Sequence, residues 1–121
     1  MGSPTPQPTE DPVLFEFRAT VPANGYTFNG PLEVGNQADF LCKGIIVHRH
    51  TGPFKLRLVD HQGYYLTPDF MDADLIGEGF PLFPPLPVPK GERLLIDLQD
   101  TSGRKNVVVL RFFGSRVYGS L

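Results

Sequence analysis

The chain has 121 residues, a length that fills a single hydrophobic core. Glycine and proline, thirteen of each, are abundant, yet 40% of residues are hydrophobic and ten are phenylalanine, which excludes a chain too polar to pack. A net charge of −2 argues against a dedicated nucleic-acid binder, and no apolar run nears the roughly 20 residues that span a bilayer.

Residues 1–12 hold four prolines and little that could be buried, so they are expected to form an extended N-terminal arm ahead of one domain covering 13–121. From Val13 to Val21 the pattern has period two, with Val13, Phe15, Phe17, Ala19 and Val21 on one face of a half-buried strand. Pro22-Ala-Asn-Gly25 ends it, and Asn29-Gly30-Pro31 punctuates again, leaving Tyr26–Phe28 as a short piece between turns. Asp39–His48 is rich in β-branched and aromatic residues and predicts a second long strand. In Phe54–Val59, Phe54, Leu56 and Leu58 face inward, and Asp60-His-Gln-Gly63 predicts a hairpin turn into Tyr64–Thr67, with Gly63 at positive φ. Thr67, Pro68, Asp69 and Asp72 suit the start of a two-turn helix closed by Gly77, with an extended loop as the alternative. Phe80–Pro89 carries five prolines in ten residues and predicts a polyproline-like connection. Strict alternation returns at Glu92–Asp100. A polar turn over 101–106 then leads to Val107–Phe113, expected to pair with its predecessor as a hairpin and to break or bulge at Gly114. Six to eight short strands with almost no helix predict an all-β antiparallel sandwich or barrel.

Reactive constellations are sparse. His48 and His50 share a strand face and His61 sits in a turn nearby, but one cysteine and three histidines supply few metal ligands, and solvated histidines are the expected reading. None of Ser3, Ser102, Ser115 and Ser120 stands in a nucleophile elbow. Cys42 lies inside an apolar strand, where burial makes a thiol inert, and it cannot form an intrachain disulfide. Asp69, Asp72 and Asp74, with Glu78 beyond, lack the glycine-centred loop of a calcium site. Gly77 and Gly79 make only G-x-G with no helix start. Arg104, Lys105, Arg111 and Arg116 interleave with Phe112, Phe113 and Tyr118 as on a single-strand binding surface, but strand alternation accounts for most of that pattern. No catalytic, metal or cofactor residue is therefore expected. The exposed-ridge candidates are Phe80, Leu82, Phe83, Leu86 and Val88, which either close the core or meet a partner.

One stretch carries a resemblance. Pro85, Pro87, Pro89 and Gly91 lead into Leu94, Ile96, Asp97 and Leu98, followed by Asn106, Val107, Gly114 and Tyr118. This succession resembles the small virion structural proteins of tailed bacteriophages. The resemblance implies a jelly-roll-like sandwich acting without catalysis as a capsid decoration, or cement, protein on the exterior of the virion after synthesis in the host cytoplasm. Its implied partner is the major capsid protein, with self-association as a dimer or trimer and no role for nucleic acid or membrane. Candidate contact residues are Pro4, Pro6 and Pro8 of the arm and Phe80, Leu82, Phe83, Pro84 and Pro85 of the proline-rich segment. The alternatives are another virion component (fibre, neck or tail) and a carbohydrate-binding sandwich using Tyr26, Tyr64 and Tyr65 as stacking platforms.

Overall fold

Alternation of apolar and polar residues becomes eight strands: β1 (Thr9–Val21), β2 (Tyr26–Glu33), β3 (Asp39–His50), β4 (Phe54–Val59), β5 (Met71–Asp72), β6 (Phe80–Val88), β7 (Arg93–Asp100) and β8 (Asn106–Tyr118). Among the described residues a single 3-10 turn, Ala73–Leu75, follows β5. The computed structural model describes residues 9–67, 69–76 and 79–118. Two antiparallel sheets of four strands, ordered β1-β8-β3-β6 and β2-β7-β4-β5, face one another. First pairs with last, second with seventh, third with sixth and fourth with fifth, as if one long hairpin had been rolled up. That is the eight-strand jelly roll. Between the sheets, Phe17, Phe40, Ile45, Leu110 and Phe112 meet Phe54, Leu56, Leu58, Leu94, Ile96 and Leu98 in one core, all of them buried.

Several expectations need correction. Of the arm expected over 1–12, residues 1–8 lie outside the described residues, whereas Thr9–Pro12 are the first rungs of β1, opposite Ser115–Tyr118. Ladder bonds to a strand a hundred residues away offset their ordering entropy, and nothing in their own composition announces that partner. β2 does not stop at Phe28. Asn29 adopts φ 57° and the strand bulges between Thr27 and Gly30 before pairing on to Glu33. β3 runs two residues past His48, to His50.

Within the segment over 80–89, Phe80–Val88 is a true strand and not a polyproline connection. β6 lies at a sheet edge, where a proline sacrifices a donor on the solvent side and not a ladder bond. β7 and β8 form no hairpin: β7 pairs with β2 and β4, β8 with β1 and β3. The 101–105 turn crosses from one sheet to the other. Gly114 neither breaks nor bulges β8; the irregularity lies opposite, in β3 between Cys42 and Gly44. A Cβ on Gly114 would run into the Leu41 carbonyl, so the glycine permits close strand approach. The expected helix is reduced to the 3-10 turn, because Met71 and Asp72 pair with β4. Pro68 and Gly77, part of that expectation, and Glu78 of the acidic cluster lie outside the described residues.

Candidate functional site

The proline-rich edge is built by a mismatch in length. Between the Leu86–Cys42 and Pro81–Gly44 rungs, β6 spends residues 82–85 where β3 spends only Lys43. The surplus bows outward. Phe80, Leu82 and Leu86 remain half-buried against the core, and Val88 is fully buried. Phe83 stands 95% exposed, the most exposed large apolar side chain among the described residues, beside exposed Pro84 and half-buried Pro85. Residues 82–87 and Leu66 line an open, mainly apolar groove of about 400 Å³. The candidate contact residues thus divide: Phe80 and Leu82 help close the core, while Phe83 and Pro84 project. Pro4, Pro6 and Pro8 lie outside the described residues.

Leu66 belongs to the β4–β5 connection, and its position follows from the turn before it. Asp60 Oδ1 accepts the N–H groups of Gln62 (2.9 Å) and Tyr64 (2.8 Å). Gly63, at φ 88°, donates its N–H to the Asp60 carbonyl at 3.0 Å, as the sequence predicts. Tyr65 bridges back to Val59, and the Leu66 N–H donates to the Leu58 carbonyl at 2.9 Å. Tyr64, Tyr65 and Leu66 are left exposed on the way to the groove.

Across the outer face of β2-β7-β4 runs a chain of aromatic and ionic contacts. The Arg57 guanidinium carbon lies 4.4 Å from the Tyr65 ring centroid and 4.5 Å from that of Phe70. Phe70 meets Tyr26 edge-on at 5.7 Å, and Tyr26 stacks on Phe28 at 5.4 Å. Beneath them Asp97, almost wholly buried, accepts Arg57 Nε at 3.0 Å and Nη2 at 2.9 Å on one oxygen, and the Asn29 N–H at 2.8 Å on the other. One carboxylate therefore fixes both the β2 bulge and the guanidinium to which two rings attach.

A second buried carboxylate organises the end of the sandwich. Asp100 accepts the N–H groups of Asn24 (2.9 Å), Ser102 (3.0 Å) and Gly103 (3.1 Å), the Ser102 hydroxyl (2.6 Å) and the Asn106 amide (3.1 Å). Burial alone would raise its pKa, but these donors, the Ser102 hydroxyl foremost, outweigh it and hold the carboxyl well below the usual range. Asn106 also accepts the Thr51 and Gly52 N–H groups and donates to the Gly52 and Pro53 carbonyls, tying the β3–β4 turn to the crossing turn. Strand alternation by itself marks neither Asp97 nor Asp100 as a buried anchor. For Asp100 the signal was there: Asp-Thr-Ser-Gly spells an Asx turn.

The other candidates are dispersed. His48 and His50 are exposed, with His50 Nδ1 2.8 Å from the Gly52 carbonyl oxygen, and His61 sits at the far end of β4. Among the described residues no three of His, Cys, Asp and Glu converge. Cys42 is buried, which pushes its thiol up to about 11. The four basic residues do not form a patch. Arg104 and Lys105 lie at one end of β8, Arg111 pairs with Glu16 at 3.3 Å, and Arg116 covers the Phe15 ring, about 35 Å of strand beyond Lys105.

No protein-family model matches the chain, and no curated protein matches it. Among solved structures it is similar to one described as "Bacillus endospore appendages form a novel family of disulfide-linked pili", at 11% identity and a TM-score of 0.49, over 98% of this chain and 97% of that one.

Proposed function

We propose that this chain is a non-enzymatic structural subunit that docks through the β6 projection onto a larger protein lattice. On the resemblance of residues 80–118, that lattice is the major-capsid shell of a tailed-phage particle, decorated on its exterior. The observation that carries the reading is Phe83: a large apolar side chain, 95% exposed, set beside prolines on an edge strand and next to an apolar groove. Exposed apolar surface of this kind is unfavourable in a free monomer and favourable once buried. Prolines restrict the free segment, so less entropy is lost on docking. Subunits that bind only the assembled shell stabilise it by mass action.

The test is binding to shells purified without the protein. Phe83→Ser is expected to weaken binding by roughly tenfold to a hundredfold, the range of an aromatic hot spot, with an unchanged melting temperature. Mass spectrometry of purified particles should find many copies in each; absence from the particle refutes the decoration reading, and a few copies indicate a fibre, neck or tail part. A second reading, carbohydrate binding, draws support from Tyr26 and Tyr65 on one sheet face. Glycan-array binding lost in Tyr26→Ala would favour it.

A further inference from the structure

A jelly roll has four outer strands, and here three are unfit for further pairing. β6 carries Pro81, Pro84, Pro85 and Pro87, β2 is bulged and holds Pro31, and β5 is two residues long. β1 differs: thirteen residues in unbroken register with β8 on one side, and no described strand paired on the other. A long edge left open is a template for another strand.

We propose that β1 pairs antiparallel with β1 of a second copy about a two-fold axis at Phe17, forming a homodimer through a continuous eight-stranded sheet. Three features of the strand select this partner and register. Pro12 has no N–H, and a proline in a paired strand keeps its nitrogen on the unpaired side. Antiparallel alternation then turns the N–H and C=O groups of Leu14, Glu16, Arg18 and Thr20 to the open edge as well. With the axis at Phe17, Leu14 lies opposite Thr20 of the other copy and Glu16 opposite Arg18, so those outward groups meet in about eight main-chain hydrogen bonds. Pro12 falls opposite Pro22, which closes the ladder at both ends with residues that cannot donate. The same register brings Glu16 and Arg18, both exposed, against their opposites twice over. Within one copy Glu16 already lies 3.3 Å from Arg111 and 3.8 Å from Arg18, so its carboxylate is held on that face. The pairing specifies the self-association that accompanies the decoration reading, but it is measured in solution without a shell.

Sedimentation equilibrium of the full chain should show a dimer. Glu16→Arg and Arg18→Glu should each raise the dimer dissociation constant about tenfold, because either change places like charges opposite each other twice. The double variant restores both pairs and should return the constant close to wild type. Circular dichroism confirms that each variant folds. In the wild type, hydrogen exchange at the Glu16 and Arg18 amides should slow as protein concentration rises. A monomer at all concentrations, a dimer indifferent to both reversals, or a double variant no better than the singles would overturn the proposal. A monomer that nevertheless binds shells would overturn the pairing alone and leave the docking reading intact.

Discussion

Asp100 gathers five hydrogen bonds on one buried carboxylate. Its carboxylate replaces water with five donors from two turns and the first residue of β8, so the ends of β1, β7 and β8 are fixed through one side chain. Its folded pKa is depressed, so it contributes stability above its unfolded value near 4, and that contribution is lost as pH falls toward the folded value. Asp100→Asn keeps the shape but exchanges one acceptor oxygen for a donor facing groups that now donate to it. The variant should melt at a lower temperature than wild type at pH 7, and the gap should narrow as pH drops from about 4 toward 2. Thermal melts across that range check this; a gap constant with pH would mean that the carboxylate charge contributes nothing.

At the scale of elements, the strands were legible because period-two patterning is a local property. Val13–Val21 and Phe54–Val59 lie as read, with Phe17, Val21, Phe54, Leu56 and Leu58 buried. Partners were not legible. Alternation in β7 and β8 is the same whether they share a sheet or face each other across the core, and Asp100-Thr-Ser-Gly103 announces a turn without saying that the chain crosses in it. The projection was half legible: composition marked Phe80–Pro89 as unusual, but dividing core-closing Phe80 and Leu82 from projecting Phe83 required the bulge opposite Lys43. The prolines of β6 have a further consequence. They withhold donors from a strand that would otherwise present an apolar edge, which is a known defence against edge-to-edge association. Replacing Pro81 and Pro87 together with threonine should leave the circular dichroism spectrum unchanged and increase light scattering on incubation at high concentration. Scattering equal to wild type would show that the bowed segment, not the prolines, protects this edge.

For the whole molecule, the order of strands dictates how it comes apart. Travelling from β1, the chain enters the second sheet at β2, returns at β3, leaves for β4 and β5, and crosses three times more before β8. Neither sheet is a contiguous stretch of sequence, and each buries its inner face only on the other, so neither can persist alone. Unfolding should therefore be a single cooperative transition. The protein supplies a convenient pair of probes. It has no tryptophan, so near-ultraviolet circular dichroism is dominated by its four tyrosines, of which Tyr26 and Tyr65 sit on the outer face of β2-β7-β4. The far-ultraviolet signal reports both sheets. Urea titrations followed at the two wavelengths should give coincident midpoints and slopes. An earlier near-ultraviolet transition would mean that the aromatic face loosens before the core does. The β4–β5 connection would then be a separate unit laid over the jelly roll, and Arg57 would not couple it to the sandwich through Asp97.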